Sequence, residues 1–404
     1  MKTAIRFITV MALPAILFSC RETYTPPQIT ANNNYLVVEG LINTGTDSTI
    51  IKLSRTVKLN AKTTTQTERQ AIVTVESDAN ATYPLKEITP GTYASAGLGL
   101  SSTAKYRLRI ITNTNTHTTY LSDFVPVKVS PPIDSVGYTI QPNGLQIYAS
   151  AHDATNNTRY YRWEYKETWV YQSLYNATWI AVNKHIVLRT LAQSVYSCWQ
   201  NANSTDIVLA SSAKLSRDVM YQAPITFVPS ASVKLSSKYS ILVKQYALTE
   251  DAFNFWQLLK KNTEQLGSIF DAQPSSITGN IHNIADSSEP VLGYISAGTV
   301  QQKRIFISIA ALPVGWGSDS PFNACKPHYE PPPNPYNPVE VYKMDYANYF
   351  YPALGTMPET YLYIPVDVFG ETVTGDTIFL AAPVQCVDCR TAGGTITKPS
   401  FWPF

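Results

Sequence analysis

Long apolar runs, clustered charge and catalytic signatures are all missing from this 404-residue sequence, and each absence excludes a class of function. Beyond residue 20 no uncharged stretch reaches the roughly 20 apolar residues of a membrane-crossing helix, so any hold on a membrane has to come from elsewhere. No Lys/Arg-rich run occurs, and setting aside Lys2 and Arg6 leaves 29 basic residues against 29 acidic ones. That neutrality argues against nucleic acid, which is held by clustered cations, and against a polybasic membrane patch. The histidines His117, His152, His185, His282 and His328 are scattered, with no His-Glu-x-x-His helix motif. There is no Gly-x-Ser-x-Gly elbow and no P-loop, and Gly97-Leu98-Gly99 lacks the third glycine of a dinucleotide fingerprint. His152 beside Asp153, and Glu164 near Glu167, are the sort of strand-face groups that are ordinarily just solvated. The sequence therefore predicts no catalytic residue, no metal ligand and no cofactor. Carboxylates brought together only by folding leave a cryptic glycan or peptide hydrolase as a third reading.

Cysteine is scarce, and its five positions fall into two groups. Cys20 closes a leader in which Lys2 and Arg6 precede an apolar run from Ile8 to Phe18, followed by Ser19. The run is too short to span a bilayer and reads as a secretory signal over residues 1–19. A cysteine after a small residue is what a lipoprotein signal requires, although Phe18 stands where a smaller side chain is commoner. Lipidation of Cys20 is expected, with several acyl chains giving a firm anchor. Residues 20–34, with Pro26-Pro27 and three asparagines, read as a polar tether. The other four, Cys198, Cys325, Cys386 and Cys389, form an even set that reads as disulfides in an exported protein, with all three pairings open. Zinc is disfavoured because Cys386-x-x-Cys389 has no second close pair.

What is present is mostly β pattern. YLVVEGLI (35–42), STIIKLSR (48–55), AIVTVES (71–77), AKYRLRIIT (104–112) and TTYLSDF (118–124) are short runs broken by turn residues. Tyr106, Leu108 and Ile110 alternate with Lys105, Arg107 and Arg109, the period of two of a strand with one wet face. The expected fold is mainly β: an immunoglobulin-like or transthyretin-like N-terminal sandwich over 35–129, then a larger β-sandwich over 130–310. Ser130-Pro131-Pro132 reads as the junction. In the second part Tyr161, Trp163 and Tyr165 share one strand face, and KYSILVKQYAL (238–248) leads into an amphipathic helix at about 249–266. Thr249 is its expected N-cap and Gly267 its stop. Tyr161, Trp163, Phe255 and Trp256 are candidate contacts for a partner or for a glycan or peptide ligand, weighed against the commoner core role of such rings. Residues 190–235 read as an insertion. Residues 311–404 read as a proline-rich loop, chiefly 326–338, with late strands at 361–369 and 376–383 packing on the second part.

Four stretches set side by side carry a likeness: YLVVEGLIN (35–43), KQYALTEDAFNFWQLLKKNTEQLGSIFDAQPSSITGNI (244–281), EPVLGYISA (289–297) and CVDCRTAGGTITKPSFW (386–402). With the leader, they resemble a Bacteroidetes lipoprotein family known only as domain of unknown function 4249. The resemblance implies an outer-membrane lipoprotein associated with a TonB-dependent receptor that imports a nutrient. It carries over no catalytic residue, and it implies a structural role for Cys386, Cys389, Gly393, Gly394 and Trp402. The expectation is a non-enzymatic, lipid-anchored accessory or ligand-binding partner of such a receptor. A surface adhesion or structural lipoprotein is the alternative.

Overall fold

The structure, a computed structural model, describes residues 34–57, 66–113, 117–182, 185–264, 278–325, 363–371 and 377–403. The leader, Cys20, Gly267 and the proline-rich stretch 326–338 lie outside the described residues. The chain is mainly β. Its first sheet closes on itself through eight strands, in the order 105–111, 72–77, 82–89, 92–95, 49–55, 36–43, 296–298 and 125–128, the last pairing back to the first. A ring of eight leaves an interior that side chains just fill. Leu36, Val38, Ile42, Ile51, Leu53, Val73, Val75, Leu108 and Ile110 fill it here. Two of its contacts are parallel, Leu41–Asn43 with Ser296–Gly298, and Ala297 and Gly298 with Val127 and Lys128. Parallel neighbours need a long crossover, and here it contains most of the second core. Residues 281–298, read from the sequence as part of the second unit, therefore build the first: Ile281–Asn283 also pairs with Tyr120–Ser122. Alternation reports that a segment is a strand, not which strand it joins.

The second core lies between two sheets, 133–141, 144–153 and 218–229 on one side, and 197–203, 160–172, 238–248 and 300–308 on the other. Two strands missed in the sequence belong to it. Ile133–Gln141 runs straight out of the proline junction and turns at Pro142-Asn143 into 144–153, and Asp218–Pro229 lies within the supposed insertion. Ser130-Pro131-Pro132 is a pinned seam. Ser130 is buried and donates its Oγ to the Gln245 carbonyl at 3.2 Å, while Gln245 Nε2 donates to the Pro131 carbonyl at 2.8 Å.

The helix Glu250–Glu264 starts where Thr249 Oγ1 accepts from the Ala252 N–H at 3.2 Å, with Glu250 and Asp251 in its first turn. Acidic side chains there meet the positive end of the helix dipole. Ala252 is buried in a small cluster with Tyr246 and Leu248, against which Leu41, Trp256 and Tyr294 also pack. Three of the four stretches that carry the family likeness thus meet at one joint between the two cores. The fourth closes the opposite margin. Trp199 on the edge strand 197–203 exchanges backbone hydrogen bonds with Thr395 at 2.8 and 2.9 Å, and Trp402 sets its ring edge-on to Trp199 and Phe306. An unpaired edge is a template for stray pairing, and this segment caps it. Gly394 must be small there, because a Cβ would meet the Tyr171 hydroxyl at 2.5 Å and the Cys198 Cβ at 2.8 Å.

Candidate functional site

Of the four aromatic candidates, Tyr161, Trp163 and Phe255 are buried and Trp256 is half-buried. Tyr161 and Trp163 are 0% and 1% exposed, stacked at 5.7 Å, and face the sandwich interior. Their polar atoms need partners once buried. The Tyr161 hydroxyl donates to Asp218 at 2.5 Å, and Trp163 Nε1 to Gln245 Oε1 at 3.1 Å. Burial and the neighbouring Asp218 push the Tyr161 phenol far above its ordinary value, so it stays neutral. Phe255 is buried against Tyr294, with ring centroids 5.3 Å apart. Trp256 covers Arg162, whose guanidinium lies 4.2 Å from its ring centre and 4.6 Å from that of Tyr246. Arg162 Nη1 pairs with Glu164 at 2.8 Å, and the two ring faces lie against the guanidinium, whose buried Nε has no hydrogen-bond partner. Glu167, read as a solvated strand-face acid, is buried, accepting from the Tyr239 hydroxyl at 2.8 Å and from Lys234 at 2.6 Å. The disulfides are Cys198–Cys389 and Cys325–Cys386, both converging on the short helical segment 384–392. Among the described residues, no three His, Cys, Asp or Glu side chains group as a metal site would need, and no helix is long and apolar enough to cross a membrane.

A cleft of about 720 Å³ opens at the end of the closed sheet where the described chain begins, lined by Asn34, Tyr35, Arg55, Glu68, Tyr120 and Glu289 among others. Strand pairing builds its floor. Arg55 ends the strand 49–55, and the two-residue strand Gln66–Thr67 beside it delivers Glu68. Arg55 Nε donates to Glu68 Oε2 at 2.7 Å, with side chains 9% and 11% exposed. Burial works against the Arg55 charge, but the hydrogen bond and charge of Glu68 outweigh it and raise the guanidinium above its ordinary value. Arg55 also donates to the Tyr120 hydroxyl, its guanidinium 5.9 Å from that ring's centre, and Tyr120 and Asn283 are cross-strand partners. The Tyr120 hydroxyl donates to Glu289 Oε1 at 2.8 Å, and Asn283 Nδ2 donates to Glu289 Oε2. Burial, then Glu289, push the Tyr120 phenol up. The floor is thus a closed set of mutually satisfied groups. Arg69, Asp286 and Ser288 stand among the lining residues. Asp286 accepts from the Ser288 hydroxyl at 2.6 Å, which with the Ser288 N–H holds its carboxyl below the usual range. None of these residues was singled out in the sequence. Their positions, 34–35, 55, 66–69, 118–120 and 286–290, converge only through sheet closure.

The family model described as "Domain of unknown function (DUF4249)" matches residues 21–304. Among solved structures, a two-domain fibronectin type-III segment of chicken tenascin is 11% identical, covering 54% of this chain and 92% of its own, with a TM-score of 0.16. A DUF3823 family protein from Bacteroides ovatus is 12% identical, covering 53% of this chain and 91% of its own, with a TM-score of 0.14. No curated protein matches the chain.

Proposed function

This chain belongs to the DUF4249 family, and on that premise we propose that it is a non-enzymatic outer-membrane lipoprotein, anchored through acyl chains on Cys20, that serves as an accessory or ligand-binding partner of a TonB-dependent nutrient receptor. The cleft at the mouth of the closed sheet carries the binding part of this reading. Its floor is locked, with Arg55 held by Glu68, and Glu289 by Tyr120 and Asn283. That leaves polar groups at the rim to meet a ligand and no free carboxylate pair on the floor for hydrolysis, which favours binding over catalysis. Asn34 lines the cleft only fourteen residues beyond Cys20. Fully extended, that tether spans at most about 50 Å, which keeps the mouth close to the surface that holds the anchor. We read the closed sheet and the sandwich as two modules on this one tether.

The reading is tested by affinity purification of the full chain from outer membranes dissolved in mild detergent. A transporter barrel co-eluting in stoichiometric amount is the expected result, lost in a Cys20→Ala variant that no longer reaches the membrane. Recovery of the chain alone, acylated but without a transporter, would overturn the partnership and leave the adhesion reading.

A further inference from the structure

The sheet 133–141, 144–153, 218–229 has a second face, turned away from the sandwich core, and no element of the described chain covers it. Gln146, Tyr148, Ser150 and His152 point to that side, alternating with the buried Leu145, Ile147, Ala149 and Ala151. Several of the large exposed apolar side chains of the described chain belong to this sheet, among them Tyr221 at 78%, Val219 at 44% and Phe227 at 41%. An exposed aromatic face normally marks a binding surface.

One ring on it, that of Tyr148, lies down on the sheet. Tyr148 is the cross-strand partner of Gly137, and a Cβ on Gly137 would meet the Tyr148 hydroxyl at 2.5 Å and ring carbons at 2.7 and 3.0 Å. The ring end therefore occupies the space that any other residue's Cβ would take. At Gly144 a Cβ would meet the Val228 carbonyl at 2.3 Å and the tip of the Phe227 ring at 2.7 Å, so backbone and ring both crowd that position. Glycine in a strand weakens the strand and is kept where something must approach closely. At Gly137 the approaching group is the Tyr148 ring, which therefore lies along the sheet. Phe227 stands opposite Gln146 and Tyr148 opposite Pro224, rows two residues apart or about 7 Å along the strands, and Tyr221 falls near the row of Ser150, so the three aromatics span about 14 Å of two neighbouring strands.

We infer that this face is a carbohydrate-binding surface, on which an uncharged polysaccharide chain lies along Phe227, Tyr148 and Tyr221. The apolar C–H face of a sugar stacks on a flat ring, while its hydroxyls need polar partners at the margins. Gln146 stands beside Phe227 and Ser150 beyond Tyr148 on this face. Gln146 Nε2 donates to the Ile147 and Thr226 carbonyls at 3.0 and 3.2 Å and Ser150 Oγ accepts the Gln222 N–H at 3.0 Å, which leaves the Gln146 Oε1 and the Ser150 hydroxyl proton to meet sugar hydroxyls. The charged pair on the face, His152 and Asp134, is bonded to itself at 2.8 Å, so no unpaired charge calls for an ionic ligand. An added peptide strand is disfavoured at the outer edge, because Pro224 and Pro229 lack N–H donors and Gln222 adopts a φ of 48° at an irregularity in the ladder. The surface is separate from the cleft, and the inference requires neither the anchor nor a transporter.

The test is native affinity electrophoresis of the full chain through gels containing β-glucan, xylan, mannan, α-glucan or galactan. Retardation by at least one of these is expected. Tyr221→Ala and Phe227→Ala should each weaken it by roughly threefold to tenfold, the effect of losing one ring contact. Both side chains are exposed, so the fold survives their loss. Gly137→Ala gives a sharper check, since it keeps every ring but lifts the mobile end of Tyr148 off the sheet, and it should weaken binding comparably. No retardation by any of the five polysaccharides, or retardation unchanged in all three variants, would overturn the inference.

Discussion

The two cores are held together by different means. The closed sheet has no disulfide among its described residues, and its interior is chiefly Leu, Ile and Val. Closure comes from hydrogen bonds to strand 296–298, which the chain reaches only after completing most of the other core. The sandwich contains Tyr161, Trp163, Tyr165, Trp169, Tyr171 and Tyr239, and it is tied by a disulfide across 191 residues of sequence. Large rings bring hydroxyls and N–H groups inside with them, which is why Asp218, Glu167 and Gln245 are buried there too. Aliphatic filling needs only a correct register. Aromatic filling needs in addition a set of placed polar partners, and the cross-link holds the segment that caps its edge.

This contrast can be broken most forcefully at the disulfide. Replacing Cys198 and Cys389 together by Ser should destabilise the sandwich by about 4 to 5 kcal/mol, given the length of loop released. Peptide-resolved hydrogen exchange should show protection lost in 160–172 and 197–203 and retained in 72–77 and 105–111. Equal loss in both cores would mean that they unfold as one. The converse change is Gly293→Ala. Gly293 has a φ of 139°, and a Cβ there would run into the Val38 carbonyl, beside the Val38 N–H to Leu292 carbonyl bond of 2.8 Å. A loss of about 3 kcal/mol is expected from strain and the broken seam, confined to the closed sheet. Gln245→Ala comes next, at about 2 kcal/mol, because it leaves Trp163 Nε1 and the Pro131 carbonyl buried without partners. Since Gln245 also meets Ser130 at the seam, this change alone of the three should lower protection in both cores.

Much of this organisation was legible in the sequence as element type, and little of it as connection. KYSILVKQYAL is a strand over Lys238–Leu248, and Thr249 caps the helix that follows, because those signals are local. Ile133–Gln141 was hidden by the prolines before it, although Pro142-Asn143-Gly144 between two β-rich runs is a hairpin signal. The alternation that put Tyr161 and Trp163 on one face was correct, but periodicity cannot say whether that face looks inward. The cleft was out of reach because Arg55 and Glu289 meet only when a ring of strands closes. The placement of the Tyr148 ring had a readable sign, a glycine at 137 in a neighbouring β-rich run, which becomes usable only once the register is known.

The smallest effect tests a partly exposed ion pair on the closed sheet. On the closed sheet Glu76 accepts from Arg107 at 2.7 Å and from Arg109 at 2.5 Å, across the register pairs of strands 72–77 and 105–111. Burial alone would raise the Glu76 carboxyl, but the bonds from the two guanidinium groups outweigh it and hold the group below its ordinary 4.5. A carboxylate depressed in the folded state stabilises the fold above its unfolded value, and that contribution is lost as the pH falls through the folded one. The pair is partly exposed, with Arg107 and Arg109 at 27% and 34%, so the contribution is under about 1 kcal/mol after screening. Glu76→Gln should therefore lower the urea midpoint of the closed sheet near neutral pH and leave it closer to the unmodified protein at about pH 3. Added salt should shrink the difference, as it does for charges that water can reach. A gap that stays constant from neutral pH to acid would show that Glu76 acts by packing, and the closed sheet would then rest on register and aliphatic filling without help from this ion pair.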